Sequence, residues 1–135
     1  MIITVCASLK FHDQLVKLQA ELEKLGHRVL MPEMVEGVDY WSQNYQTRVN
    51  AKKGLGLINK HSDRIEKSEA ILVANYTKKE IENYIGANTF LEIGLAYFLK
   101  KKIFLLNPMP NQPYLIEELI TMNPIVIHGK LELLK

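Results

Sequence analysis

The sequence predicts an α/β fold, a flavodoxin-like or Rossmann-like five-stranded parallel sheet of order 2-1-3-4-5 with helices on both faces. Three observations predict it. Short β-rich apolar runs recur along the whole chain, they alternate with segments of helical periodicity, and they lack the strict apolar–polar alternation of a sheet with one wet face. Right-handed crossovers then keep successive strands parallel and distribute the helices over both sides.

Ile2 to Ala7 is the first such run and predicts a central strand. Phe11 to Leu25 carries apolar residues at Leu15, Val16, Leu18, Leu22 and Leu25 with charges between them, and Gly26 follows as a stop, so an amphipathic helix is expected. His27 to Met31 reads as the second strand, ended by Pro32, and an irregular loop with an aromatic tip follows through Gln43. A helix from Tyr45 to Lys67, interrupted near Gly54 and Gly56, leads to the third strand, Ala70 to Ala74. Asn75 to Gly86 is a polar connection, Thr89 to Lys100 a mostly apolar helix, and Ile103 to Leu106 the fourth strand, ended by Asn107 and Pro108. Tyr114 to Met122 fits a short helix and Pro124 to Ile127 the fifth strand.

The 135 residues suit one domain spanning 1–135, and 47% hydrophobic with 24% charged residues is the balance of a globular chain. A formal net charge of +2, spread along the sequence, gives no field suited to a nucleic-acid polymer or a membrane surface. The local excess Lys100-Lys101-Lys102 reads as a solvated helix end, the alternative being a phosphate-binding patch. Cys6 stands alone, so an internal disulfide is impossible, and His12, His27, His61 and His128 show no pair at ligand spacing, so no metal is expected. No leader or membrane-spanning segment is apparent. A cytoplasmic protein is expected.

In a sheet of this order, ligands bind at the carboxyl ends of the strands beside the switch point between strands 1 and 3. That edge collects Ala7 to Lys10, the loop from Pro32 to Trp41, Asn75-Tyr76, Asn107, and the approach Tyr84 to Thr89 with Gly86 and Asn88. Ser8 and Lys10 could meet a phosphate, although no GxGxxG or Walker pattern is present. Tyr40, Trp41 and Tyr45 could stack on a base or simply pack over the sheet edge. Cys6, inside a core strand, reads as a small hydrophobe. Glu92 stands out as the only charged residue between Tyr84 and Leu99, one turn into a helix apolar nearly all round. A carboxylate there costs free energy unless hydrogen bonds or a cation satisfy it. It either caps and pairs locally or is retained for use.

Residues Ser68 to Leu106, with the helix reading Asn88-Thr89-Phe90-Leu91-Glu92-Ile93-Gly94-Leu95-Ala96, resemble the nucleoside 2-deoxyribosyltransferase superfamily, which includes the 2'-deoxynucleoside 5'-phosphate N-hydrolases. The match is to the second half of the pattern G-T-x-x-E-x-G-x-A. The resemblance implies that Glu92 is a nucleophile attacking the anomeric carbon of a sugar, chemically a retaining glycosidase step. It implies that Asn75 meets the base where the family often has an aspartate, and that the loop bearing Ser8 meets the sugar or its 5' group. Gly86 stands where the transferases tend to have a second aspartate. No cofactor is implied, and a homodimer or larger homo-oligomer is.

The resulting expectation is cleavage or transfer of the N-glycosidic bond of a nucleoside or nucleoside 5'-monophosphate. The alternative is a nucleotide-sensing module on the same scaffold, in which Glu92 binds a ribose hydroxyl without chemistry. A flavin carrier is disfavoured because the first loop lacks a Ser/Thr/Gly-rich phosphate cradle.

Overall fold

The structure, a computed structural model, describes residues 1–135. Strands β1 (Ile2–Cys6), β2 (Arg28–Leu30), β3 (Ala70–Val73), β4 (Lys102–Leu105) and β5 (Ile125–Val126) form one sheet in the order β2-β1-β3-β4-β5. Every pairing is parallel. This is the predicted order.

Five helices connect them: α1 (His12–Lys24), α2 (Gln46–Leu55), α3 (Leu57–Lys67), α4 (Ala87–Phe98) and α5 (Ile116–Met122). Because side chains alternate across a strand, each run of strand residues feeds two cores. Ile3, Val5, Leu72 and Phe104 pack with Leu15, Leu18 and Leu22 of α1 and with Leu131 and Leu134 near the C-terminus. Cys6, Ile71, Val73 and Leu105 pack on the other face with Ile65 of α3, Ile93 and Ala96 of α4, and Leu119 of α5. Continuous apolar runs are what a sheet covered on both faces requires. Thr4, in the second core, is satisfied by a buried hydrogen bond between its hydroxyl and that of Ser68.

The break expected near Gly54 and Gly56 falls at Gly56, whose φ of +59° is left-handed, a conformation that side chains disfavour. It ends α2 and starts α3.

Two expectations need correction. The lysine run is not a helix end: α4 stops at Phe98, Lys100 turns the chain with φ +58°, and Lys102 already belongs to β4. Lys101 Nζ is tied to the Glu66 carbonyl at 2.9 Å. Nor is α4 enclosed on most faces. Thr89, Glu92, Ile93 and Ala96 turn inward, but Leu91 and Phe98 are 67% and 81% exposed. One sheet can cover only one side of a helix. No helix is long and apolar enough to cross a membrane.

Candidate active site

The chain leaves β1 through Ala7 and Ser8 into a 3-10 turn, Leu9–Phe11. Ser8 caps this turn, its hydroxyl accepting the Lys10 backbone N–H at 3.4 Å. Helix α4 starts at the same edge of the sheet, with Gly86 as its N-cap and the Gly86 carbonyl accepting from Phe90 N at 2.9 Å. A β-carbon at Gly86 would come within 3.2 Å of the Tyr84 hydroxyl, so the glycine lets Tyr84 lie over the helix start. Asn88 and Glu92, four residues apart, share one face of the helix.

That face meets a cavity of about 50 Å³ whose wall includes Ala7, Leu9, Lys52, His61, Arg64, Asn88 and Glu92. Glu92 is 9% exposed, and its Oε2 lies 3.0 Å from His61 Nε2. Its Oε1 makes no hydrogen bond within the chain and is not sealed off, so it reaches the cavity. Arg64 Nη1 stands 3.4 Å from His61 Nδ1. A guanidinium has only donors, so this contact favours the tautomer in which Nδ1 accepts and the ring proton sits on Nε2, the nitrogen 3.0 Å from Glu92 Oε2. Arg64 in turn lies 3.6 Å from the Glu33 carboxylate, as does Lys60.

Burial raises the Glu92 carboxyl from its ordinary 4.5 to about 8, against the pull of Lys52 and Arg64. Burial first and the Arg64 charge second hold His61 down from 6.5 to about 4, the Val5 carbonyl opposing them. The imidazole is therefore neutral at pH 7. Cys6 Sγ lies 3.7 Å from His61 Nε2, and burial, with the Glu92 charge adding, raises its thiol well above 9.0. A reactive thiolate does not form there.

Sequence spacing showed no histidine placed like a ligand, whereas tertiary structure brings the donor atoms of Cys6, His61 and Glu92 within 4.8 Å of one another. Arg64, at 3.4 Å from Nδ1, offers that nitrogen only donors, which disfavours the Nδ1–H tautomer that a metal on Nε2 would require.

Lys10 and Trp41 line a second depression, of about 300 Å³, which shares Leu9 with the first cavity. Lys10 Nζ lies over the Trp41 ring at 5.5 Å, and Lys78 Nζ over the Tyr84 ring at 4.6 Å. A hydrogen bond with Lys78, then burial and the charges of Lys78, Arg48 and Lys79, bring Lys10 down from 10.5 to about 8. Cations crowded in this way attract an anion.

Of the residues singled out from sequence, the fold brings Glu92 and Asn88 together in one cavity and Lys10 and Trp41 in the adjacent one, with Ser8 in the loop between. Gly86 acts through backbone geometry. Asn75 is committed elsewhere: Nδ2 donates to the carbonyls of Asn107 and Pro108, both at 3.0 Å, and Oδ1 accepts Asn107 N at 2.9 Å. It latches the ends of β3 and β4 together. His61, Arg64 and Lys52 were missed. The available signal was the spacing Leu57-His61-Ile65, which puts a histidine at an apolar position of an amphipathic helix.

No family model and no curated protein matches the sequence. Solved structures do. A 2-deoxyribosyltransferase from the psychrotolerant bacterium Bacillus psychrosaccharolyticus superposes with a TM-score of 0.54 and 17% identity, over 78% of this chain and 71% of that one. The CMP N-glycosidase of Clostridium botulinum superposes with a TM-score of 0.56 and 20% identity, over 98% of this chain and 93% of that one. The chain thus has the fold that the resemblance around Glu92 implies.

Proposed function

We propose that the chain cleaves the N-glycosidic bond of a nucleoside 5'-monophosphate by hydrolysis, with Glu92 as nucleophile. The observation that carries this reading is a buried carboxylate with one oxygen held by His61 and the other open to a cavity at the carboxyl edge of the sheet. The two similar structures, a deoxyribosyltransferase and a CMP N-glycosidase, support a reaction at a glycosidic bond.

In the first step a lone pair of Glu92 Oε1 forms a bond to the anomeric carbon while the carbon–nitrogen bond breaks and its electron pair leaves with the base. In the second, water cleaves the glycosyl ester. Its hydroxyl goes to the sugar, Glu92 is restored as carboxylate, and the remaining proton reaches the departed base through solvent. The carboxylate must be ionised to act, so kcat/KM rises with pH toward about 8.

The crowd of Lys10, Lys78, Lys79 and Arg48 favours a substrate carrying a 5'-phosphate over a bare nucleoside. Trp41 offers a stacking face beside it. Small-molecule sites usually measure roughly 300 to 1,000 Å³, so the cavity of about 50 Å³ at Glu92 must widen, and Lys52, Leu57 and Ile58 form the wall that would move. A second copy of the chain is the proposed cover for Leu91 and Phe98 on α4.

A second reading, a nucleotide sensor without chemistry, is favoured by one observation. Glu33, the other carboxylate on the cavity wall, is engaged by Lys60 and Arg64, each at 3.6 Å, so the wall beside Glu92 offers no second free acid to protonate the base.

Chromatography after incubation with nucleosides and their 5'-monophosphates, beside Glu92→Gln, decides between the two. Free base from the wild type and none from the variant supports the enzyme. Intact nucleotide that nonetheless binds supports the sensor.

A further inference from the structure

We propose that His61 is the positioning residue of the Glu92 nucleophile, held in its donor tautomer by Arg64. The inference deepens the glycosidase reading and rests on it. Three elements converge to build the arrangement: Cys6 at the end of β1, His61 and Arg64 one turn apart on α3, and Glu92 on α4. His61 is 6% exposed, so its ring orientation is set by packing rather than by solvent.

The chain of contacts runs in one direction. Glu33 and Arg64 lie 3.6 Å apart, Arg64 Nη1 meets His61 Nδ1 at 3.4 Å, and His61 Nε2 meets Glu92 Oε2 at 3.0 Å. Each link fixes the next. Because Arg64 cannot accept a hydrogen bond, the imidazole presents Nε2–H to Oε2 whether or not Oε1 carries a proton. Oε1 is then the atom that titrates and the atom free to attack. A neutral donor suits this task, since it stabilises the carboxylate without an ion pair that would quench its nucleophilicity.

The titratable and charged groups that face Glu92 come from each neighbouring element: the Cys6 thiol on β1, Lys52 on α2, and His61 and Arg64 on α3. Burial raises its carboxyl, Lys52 and Arg64 oppose that through charge, and His61 Nε2 is aimed at one oxygen from 3.0 Å. Removing that bond disfavours the charged form and moves the acid limb of the rate profile to higher pH.

The test compares wild type with His61→Met, which fills the site without a donor, and His61→Gln, whose side-chain amide restores one. Each is measured for thermal stability, for kcat and KM separately, and for kcat against pH. His61→Met is expected to lose about ten- to a hundredfold in kcat, the worth of a hydrogen bond to a charged group, with KM little changed and the acid limb shifted upward. His61→Gln recovers most of kcat. A folded His61→Met with the kcat and pH profile of wild type overturns the proposal and leaves His61 a packing residue.

NMR of protein labelled with 15N-histidine supplies a readout that needs no substrate. Between pH 6 and 8, Nε2 of His61 should be protonated and Nδ1 bare, with the pattern disturbed in Arg64→Gln. A ring protonated on Nδ1, or on both nitrogens, overturns the proposal even in an active enzyme. If the wild type releases no base from any nucleotide, the glycosidase reading falls and the positioning role of His61 with it. A correct tautomer in that case marks the failure as one of function rather than of the hydrogen bond.

Discussion

Glu92→Gln should make the protein more stable at alkaline pH while destroying the proposed activity. The carboxyl ordinarily titrates at 4.5 and is raised in the fold to about 8. A raised carboxyl means that the fold prefers the protonated form. Its contribution to stability is complete below pH 4.5, declines as pH climbs, and is lost by about 8. At about 1.36 kcal/mol per pH unit, the interval from 4.5 to about 8 amounts to roughly 4 to 5 kcal/mol. Set against a total of about 5 to 15 kcal/mol for a typical domain, this is a large share. Glutamine keeps the volume and a carbonyl oxygen to accept His61 Nε2–H, but carries no charge at any pH.

His61 titrates in the opposite sense. The fold lowers it from 6.5 to about 4, so stability is lost as pH falls through that window. Above pH 6.5 His61 is neutral in the folded and unfolded chain alike, so the difference between the two proteins there reads Glu92. Urea denaturation of wild type and variant at several values from pH 5 to 9 reads it directly. The advantage of Glu92→Gln should grow by about 1.4 kcal/mol per pH unit and level off past about 8. A difference that stays constant across the range would refute the claim that a buried carboxylate is held against its solvation preference.

Other expectations follow from the same geometry. Lys10→Ala should weaken binding of a 5'-monophosphate by about tenfold and leave the bare nucleoside unaffected, which titration calorimetry checks; equal losses for both would remove Lys10 from the phosphate site. Leu91→Asp, on the 67% exposed position of α4, should convert an oligomer to monomers in light scattering without changing the melting temperature. Asn75→Asp replaces a donor facing two carbonyls with an oxygen and should cost about 2 to 4 kcal/mol in urea. A stable Asn75→Asp that releases base faster would instead place this side chain at the substrate. Phe104→Ala, in the interior strand β4 at 1% exposure, should cost about 3 to 5 kcal/mol.

The layout of the fold was legible because it depends on local patterns. Runs such as Ile2–Ala7 and Ala70–Ala74 are apolar on both faces only where a sheet is covered twice, and the spacing of Leu15, Leu18 and Leu22 is that of a helix with one dry side. Glu92 was legible for the same reason, as a charge where the local pattern forbids one.

Its partner was not. His61 lies on a different helix, and Cys6 is 55 residues away from it along the chain. Their meeting depends on the strand order, on the helix break at Gly56, and on how α3 and α4 pack against each other and the sheet. The same holds for Asn75, whose amide was free to meet a ligand until the end of β4 claimed it, and for Leu91 and Phe98, apolar in sequence but left uncovered in space. Periodicity tells which face of an element seeks burial. Only packing decides which faces find a partner, and the long-range contacts that tune a carboxylate are made by packing.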